Sequence, residues 1–287
     1  MPAIPAITVA LPFYNAAATL KSAVESILGQ TLTDWELLLL DDGSTDGSLD
    51  VARAVTDQRV RVISDGSRRG ISARLNLAAA EARGRYFCRM DADDLAFPDR
   101  LRRQFDFLEA HPDVDLLGSS VLVFDDAGLV SGVIQVEEAH ELICARPWLG
   151  FYLPHPTWMG RRAWFLEHSY DSAADGSEDQ QLLYRGHPTS RYAGIPDVLL
   201  GYRENPRILA RMVKRRLVFW RALAGAAVGA GAYHHAVLVS LAQILKLAGD
   251  ILNLKMGIQA ARNRLLAPDA AASSRWAEVW RKASGRQ

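Results

Sequence analysis

The sequence predicts an α/β fold: a mostly parallel sheet with flanking helices, followed by a helical C-terminal extension. Three observations predict it. Through the first hundred residues, short apolar runs rich in β-formers alternate with segments of helical period, the pattern of a parallel sheet covered by helices. Three of those runs end in polar loops, Pro12–Asn15, Asp41–Asp46 and Asp91–Asp94. Beyond Tyr202 the composition shifts to Ala, Leu and Arg, which reads as helix.

Each element follows in order. Ile7–Leu11 reads as the first strand. Leu20, Val24, Ile27 and Leu28 fall at helical spacing, and Gly29 stands where a helix C-cap belongs. Trp35–Leu40 is a nearly continuous apolar run ending at Asp41-Asp42-Gly43-Ser44, the mark of a strand buried on both faces. Val60–Ile63 is a third strand, residues 71–82 an Ala-rich helix stopping near Gly84, and Tyr86–Met90 a fourth strand. Pro98 and Asp99 suit a helix start, with Leu101, Phe105 and Leu108 on one face. From about residue 113 the alternation is less regular: Val114–Leu117 and Val121–Phe124 look like two strands, and Pro147–Gly160 is aromatic and Pro-rich. The resulting division is an α/β domain over 1–205, with halves near 1–112 and 113–205, and a basic helical extension over 206–287. In an open α/β sheet the loops at the carboxyl ends of the strands share one ligand-binding edge, so the three polar loops are expected to meet in one cleft.

Composition narrows the class. With 49% hydrophobic and 23% charged residues, the chain has the makeup of a globular protein with a sizeable core. Only Cys88 and Cys144 are present, which excludes a disulfide scaffold and suits a reducing compartment, both read as buried thiols. The opening MPAIPAITVALPFYN lacks the basic start and long apolar stretch of a secretory signal, so the expected location is the cytoplasm. Net charge is zero, yet residues 1–202 carry 18 Lys/Arg against 29 Asp/Glu, whereas 203–287 carry 15 against 4. A basic tail rich in Leu, Ala and Trp points to an anionic membrane face before nucleic acid, or to docking on the acidic front. Ala222–Leu245 has no charged residue and could span about 30 Å as a helix, but His234, His235, Gln243 and its glycines argue against a membrane span. The expectation is helices that pack on the domain or lie at the inner face of the cell membrane, with Arg211, Lys214, Arg215, Arg216 and Arg221 facing anionic lipid.

The acidic loops carry the chemistry. Asp41, Asp42, Asp91, Asp93 and Asp94 bring five carboxylates to one sheet edge, where mutual repulsion calls for a cation or a hydrogen-bonding ligand. Oxygen-only ligands without His or Cys favour Mg²⁺ or Mn²⁺ over zinc, and such ions are typically shared with phosphate oxygens. No G-x-G-x-x-G follows the first strand and no G-x-x-x-x-G-K-[ST] occurs, so a glycine loop is not expected to cradle phosphates. A metal at Asp91 and Asp93 would neutralise a diphosphate instead.

The ordered set of motifs is more specific than any member. Leu11-Pro12-Phe13-Tyr14-Asn15, Asp41-Asp42-Gly43-Ser44-Thr45-Asp46, Arg89-Met90-Asp91-Ala92-Asp93-Asp94, Pro98-Asp99-Arg100-Leu101 with Gln104, His155-Pro156-Thr157, Glu178-Asp179 and Tyr202-Arg203 together closely resemble the family 2 glycosyltransferases, over about residues 5–205. The resemblance implies a GT-A, Rossmann-like fold, a nucleotide-sugar half at 1–112 and an acceptor half at 113–205. It implies inverting, metal-dependent transfer of a sugar from a nucleoside diphosphate sugar, often a UDP-sugar, to a glycan or lipid-linked hydroxyl acceptor in cell-surface polysaccharide or glycolipid assembly. By similarity Pro12 and Tyr14 line the nucleotide pocket, Asp42 accepts a hydrogen bond from the base, and Asp91 lies by the ribose and diphosphate. Asp93 is the main metal ligand beside Asp91, and Asp179 matches the catalytic base. Arg74, His155 and Arg203 complete the implied nucleotide-sugar contacts.

Plainer roles stand beside these. Asp46 can cap the next helix, Glu178-Asp179 can open one, His155 can be a core histidine, and Arg203 can pair with a carboxylate instead of a diphosphate. Two departures from the family pattern bear on specificity. Ser67-Arg68-Arg69-Gly70 lacks an Asn found in many members, and the Q-x-x-R-W signature of processive synthases is missing after Asp179, which favours transfer of a single sugar. The competing readings are a nucleotide-sugar-binding protein without turnover, a membrane-associated scaffold and a Mg²⁺-dependent nucleotidyltransferase.

Overall fold

The computed structural model describes residues 4–204, 209–255 and 265–285. Nine strands form one sheet in the order β3-β2-β1-β4-β8-β6-β9-β5, with β7 also on β6. The first half is built as β1 (Ile7–Phe13), α1 (Leu20–Leu28), β2 (Trp35–Asp41), α2 (Ser48–Arg53), β3 (Val60–Ile63), α3 (Ile71–Glu81) and β4 (Tyr86–Arg89). Then come β5 (Leu95–Ala96), α4 (Arg100–Ala110), β6 (Leu116–Phe124), β7 (Val130–Ile134), α5 (His140–Ile143), β8 (Met159–Arg161) and α6 (Arg162–Glu167). α7 (Glu178–Gly186) and β9 (Tyr192–Arg203) lead to the C-terminal helices α8 (Leu209–Gly229), α9 (Tyr233–Lys255) and α10 (Ala270–Ala283). The ladders of β1 with β2 and β4, of β2 with β3, and of β6 with β9 are parallel. β5, β7 and β8 join antiparallel.

The first half forms as its pattern dictates. Every residue of β2 is buried, as a continuous apolar run in a central strand requires. α1 turns Leu20, Ala23, Val24 and Ile27 onto the sheet, where they join the core of β1, β2 and β4. Gly84 sits at the entry to β4 because a Cβ there would overlap Thr8, whose hydroxyl accepts from Gly84 N at 2.8 Å.

The second half departs from the sequence reading. The two strands expected at Val114–Leu117 and Val121–Phe124 are one buried strand, β6. Its middle, Gly118-Ser119-Ser120, breaks the apolar pattern because the turn at Leu153–Thr157 packs against it. A Cβ on Gly118 would overlap Leu153, Ser119 N donates to Thr157 Oγ1 at 3.0 Å, and Ser120 Oγ accepts from Val136 N at 3.2 Å. β9 was not read as a strand; it carries Pro196, and its register against β6 shifts beside that residue.

The C-terminal helices pack on this body through apolar faces. Leu223 and Ala227 of α8 and Val239 of α9 join the core formed by Phe151, Leu183 and Tyr184. α10 buries Trp276 and Val279 against Phe97, Leu122 and Phe124, and Gly201 leaves the space that the Trp276 ring fills. The uncharged stretch Ala222–Leu245 is divided by a turn at Gly231, whose φ of 71° lies in the left-handed region. Among the described residues no helix is long and apolar enough to cross a membrane. Cys88 is buried as expected, whereas Cys144 is only half-buried.

Candidate active site

The carboxyl ends of β1, β2 and β4 do converge, but the five aspartates fall into two groups. Asp41 accepts from Ser44 N at 2.9 Å and Ser64 Oγ at 2.8 Å. Burial works to raise its carboxyl, but those hydrogen bonds outweigh it and leave it below the usual range. Asp42 accepts from Arg69 N at 2.8 Å and from Arg74 Nε at 2.9 Å, with Gly70 N at 3.2 Å. Protein donors therefore answer the charge of both, with Asp42 Oδ2 taking a single 3.2 Å bond, from Gly70 N, among the described residues.

Arg74 is fully buried and also grips Asp65 at 2.8 Å, a hydrogen bond that holds the Asp65 carboxyl down at about 2. The loop between β1 and α1 is tied to this group: Asn15, at a φ of 49°, accepts from Thr45 N at 2.8 Å. Asp46 stands one residue before Gly47, the N-cap of α2, and accepts from Ser48 N at 2.9 Å and Ala17 N at 3.2 Å, so it ties the helix start to the loop after β1. Tyr14 stands partly exposed at the rim with the Arg68 guanidinium 4.0 Å above its ring, so an exposed arginine occupies the stretch that departs from the family pattern. Pro12 lies half-buried beside it.

The remaining three aspartates form a separate group, with carboxylate oxygens of Asp91, Asp93 and Asp94 all within 4.8 Å of one another. Asp94 is buried, and its Oδ2 has no hydrogen-bond partner among the described residues. Burial, and then the neighbouring charges of Asp91 and Asp93, push the Asp94 carboxyl well above its ordinary range. An orphaned buried oxygen beside two further carboxylates, with no nitrogen or sulfur donor, fits Mn²⁺ or Mg²⁺. Arg203 holds this loop from the end of β9. Its N donates to Asp94 Oδ1 and its Nε to the Asp93 carbonyl, both at 2.9 Å, and its Nη1 pairs with Asp126 at 2.9 Å. The carboxylate-pairing reading of Arg203 thus describes its geometry.

A cavity of about 860 Å³ opens next to this group, bordered by Asp91, His155, Glu178, Asp179, Tyr202 and Arg89. Asp93 and Asp94 do not border it, nor do Pro12, Tyr14, Asp42, Arg74 and Arg203. Glu178 and Asp179 form the first turn of α7, so the helix-start reading and a site role coincide. Burial, and then the charge of Asp179, raise the Glu178 carboxyl to about 7, and burial raises Asp179 as well. His155 packs against Trp158, ring centroids 4.4 Å apart with the planes tilted by 60°, and its Nε2 lies 2.9 Å from the Tyr170 hydroxyl. Burial, and then the Arg89 charge, hold its imidazole well below the usual range, which keeps it neutral.

Two arginines build the site yet went unassigned in the sequence. Arg89 is buried, forks onto both oxygens of Asp91 (Nη1 to Oδ2 at 3.0 Å), and is the cation that faces Glu178, Asp179 and Tyr170. Its signal is a charge inside the strand run Tyr86-Phe87-Cys88-Arg89. Arg100, also fully buried, donates to the carbonyls of Arg89 at 2.7 Å and Pro156 at 2.8 Å, while Gln104 Nε2 reaches the Thr157 carbonyl at 2.6 Å. The Pro98–Gln104 motif therefore ties the end of β4 to the His155 turn.

The division of the five aspartates is testable by titrating Mn²⁺ into the purified chain. Asp91→Asn and Asp93→Asn should each weaken Mn²⁺ binding tenfold or more, and Asp41→Asn should leave it within twofold. Equal losses in all three variants would place Asp41 at the ion as well.

Known proteins resemble this chain in sequence and in fold. EpsE of Bacillus subtilis (strain 168), classed as a glycosyltransferase, is 41% identical over 128 residues, 44% of this chain and 46% of EpsE. The succinoglycan biosynthesis protein ExoO of Rhizobium meliloti (strain 1021) is 36% identical over 107 residues, 37% of this chain and 31% of ExoO. The matches thus span less than half of either relative. Among solved structures, S. aureus TarS 1-349 in complex with UDP-GlcNAc superposes with a TM-score of 0.63 at 16% identity, covering 96% of this chain and 80% of that one. The mannosyltransferase PcManGT of Pyrobaculum calidifontis, in complex with GDP-Man and Mn²⁺, gives 0.61 at 19% identity, covering 99% and 81%. These likenesses establish the GT-A-like fold. The model of glycosyl transferase family 2 matches residues 8–168, more than half of the sequence, and this chain belongs to that family.

Proposed function

We propose that the chain transfers a single sugar, with inversion, from a nucleoside diphosphate sugar to a hydroxyl of a glycan or lipid-linked acceptor in cell-surface polysaccharide or glycolipid assembly. One observation carries the reading: Asp91, a member of the Asp91–Asp94 group, borders the same 860 Å³ cavity as the Glu178-Asp179 pair. The residues suited to a departing diphosphate and those suited to an incoming hydroxyl belong to different elements, as in-line displacement needs. Donors bound by the structural neighbours, UDP-GlcNAc and GDP-Man, support a nucleoside diphosphate sugar, with a UDP-sugar first among them. ExoO's role in succinoglycan biosynthesis supports polysaccharide assembly.

In this reading Pro12 and Tyr14 receive the base and Asp42, oriented by Arg74, accepts its N–H. A divalent ion held by Asp91 and Asp93 would neutralise charge growing on the leaving diphosphate. Asp179 takes the acceptor proton as the hydroxyl oxygen bonds the anomeric carbon and the bond to the diphosphate breaks. Neutral His155 lines the path beside Glu178, and Arg203 acts by positioning the Asp93-Asp94 loop. Residues 1–205 carry the transfer and 206–287 the helical extension.

The extension is read as a membrane contact at the inner face of the cell membrane. α9 exposes Tyr233, Val237, Leu241 and Ile244 along one face, and α8 exposes Lys214, Leu217, Arg221 and Val228 along another, an apolar and basic surface suited to anionic lipid. Arg211 lies outside the residues whose side chains are described.

Purified protein with Mn²⁺ and a panel of UDP- and GDP-sugars should release nucleoside diphosphate from one donor. Asp179→Asn should lower that rate by about 10²–10⁴-fold, the usual worth of a positioned base, and Asp93→Ala should abolish it. Pyrophosphate in place of a nucleoside diphosphate would identify a nucleotidyltransferase, and donor binding without turnover a binding protein. The pH profile adds a sign. A base works deprotonated, so the raised Asp179 carboxyl places the acidic limb of kcat/KM above the ordinary carboxylate range, with activity lost as pH falls through it. A limb at an unperturbed carboxylate value would exclude Asp179.

Flotation with phosphatidylglycerol vesicles at low salt should carry the wild type up and leave Leu241→Asp/Ile244→Asp behind by at least tenfold. A wild type that ignores these vesicles removes the membrane contact.

A further inference from the structure

The donor reading uses the Asp91 side of the cavity and Asp179, but the opposite wall has no role in it. That wall comes from the C-terminal helices: Arg215, Arg216 and Phe219 of α8 and Lys246 of α9 border the same space as Asp179. We propose that Arg215, Arg216 and Lys246 form an anion subsite for the acceptor, so that the hydroxyl substrate carries a phosphate or carboxylate group. The proposal rests on the glycosyltransferase reading and names the acceptor class for it.

Position assigns this wall to the acceptor. Lys246 Nζ donates to the Leu149 carbonyl at 3.3 Å, and that segment continues into Phe151, whose N–H donates to Gln180 Oε1 at 2.7 Å. Gln180 follows Asp179 and donates to its Oδ2 at 3.1 Å. The cations are thus built onto the structure that orients the base, the side an attacking hydroxyl must approach.

The side chains are also preset. Arg216 donates from Nη1 to Gln243 Oε1 and from Nη2 to the Lys246 carbonyl, both at 3.2 Å, which fixes the guanidinium against α9. Gln243 is itself buried. Arg215, exposed on the preceding position, lies close enough for its charge to be felt at the Tyr202 hydroxyl across the cavity.

Chemistry then selects the ligand. Two guanidiniums and an ammonium facing one space recognise a phosphoryl or carboxylate group, the former well matched to a guanidinium fork. Leu149 and Phe219 on the same wall give an apolar surface beside the charge. The sequence supports the assignment independently, since residues 203–287 carry 15 Lys/Arg against 4 Asp/Glu. The acidic half holds the metal and base carboxylates, and the basic half contributes the facing wall.

The test keeps the donor site filled. Full-length protein is saturated with UDP and Mn²⁺, and two pairs of probes are titrated at constant ionic strength by ligand-observed NMR: glycerol 1-phosphate against glycerol, and glucuronate against glucose. At least one anion should bind tenfold or more tightly than its neutral partner, the phosphate and carboxylate arms distinguishing the two kinds of acceptor. Arg215→Gln/Arg216→Gln should erase that preference while UDP affinity stays within twofold, and Arg215→Lys/Arg216→Lys should keep most of it. Equal binding of charged and neutral probes overturns the subsite and leaves the donor reading intact. The subsite is equally overturned if the anion competes with UDP, if UDP affinity falls with the Gln pair, or if the Lys pair loses the preference as fully as the Gln pair. A wild type that fails to bind UDP with Mn²⁺ sinks the donor reading first, and the subsite with it.

Discussion

The structure depends on how negative charge is kept at the carboxyl end of β4. Asp91, Asp93 and Asp94 follow that strand directly, and Glu178 and Asp179 are brought to the same cavity by α7. Carboxylates gathered where water is scarce raise one another's proton affinity or require a cation. Arg89, buried beneath them, supplies one positive charge and is bonded to Asp91. Even with Arg89 and Arg203 in place, Asp94 is pushed upward with an orphaned oxygen, and the Glu178 carboxyl is raised to about 7. The site is held by protein contacts and yet electrostatically incomplete, which is the condition of a place prepared for a metal and a phosphorylated ligand. The pair at β2 shows the contrast, because Asp41 and Asp42 are answered by Ser44, Ser64, Gly70 and Arg74.

Holding that cluster still requires a second layer. Arg100 binds the carbonyl of Arg89 on one side and that of Pro156 on the other, so the strand bearing Asp91 and the turn bearing His155 cannot separate without leaving buried acceptors unpaired. Each such loss costs about 1–3 kcal/mol. The turn can lie this close because Gly118-Ser119-Ser120 opens the face of β6 to Leu153 and Thr157. A short polar break in an apolar strand and a basic residue in an amphipathic helix, far apart in sequence, thus serve one contact.

Where sequence and structure agree, the pattern is local. Trp35–Leu40 is apolar on both faces and is the central strand β2, α1 spans Leu20–Leu28 as its spacing requires, and β3 spans Val60–Ile63. The misreadings come from tertiary demands that overrule local pattern. Gly118-Ser119-Ser120 looks like the gap between two strands because its small side chains serve a turn 35 residues or more away. β9 is concealed by Pro196, which a strand tolerates only where its ladder is irregular. In the site, the acidic loops and Glu178-Asp179 were legible as motifs, because carboxylate chemistry restricts residue type. Their partition was not: Asp41 and Asp42 look like Asp91 and Asp93 on paper, and only the donors around them separate a satisfied carboxylate from an unsatisfied one. Arg89 and Arg100 lie within the motifs, but the sequence assigns them no role, since a buried arginine is recognised by its partners.

The same reasoning explains why the C-terminal hairpin cannot be a simple appendage. A turn at Gly231 converts an uncharged stretch of membrane-spanning length into two helices that lie against the domain. Each then has two faces to satisfy. Inward, Leu223, Ala227 and Val239 complete the core over α7, which carries Glu178 and Asp179 in its first turn, so removing the hairpin would expose the helix that positions the proposed base. Along the cavity, Arg215, Arg216 and Lys246 set positive charge opposite the carboxylates. Outward, Leu241 and Ile244 remain exposed. A hairpin that only covered α7 would need the inward face and nothing more, and large exposed apolar side chains beside basic ones would carry no benefit. On the proposed reading the three faces place acceptor binding, base positioning and surface contact on one pair of helices, and the proposed acceptor half then extends beyond the sheet at Arg203.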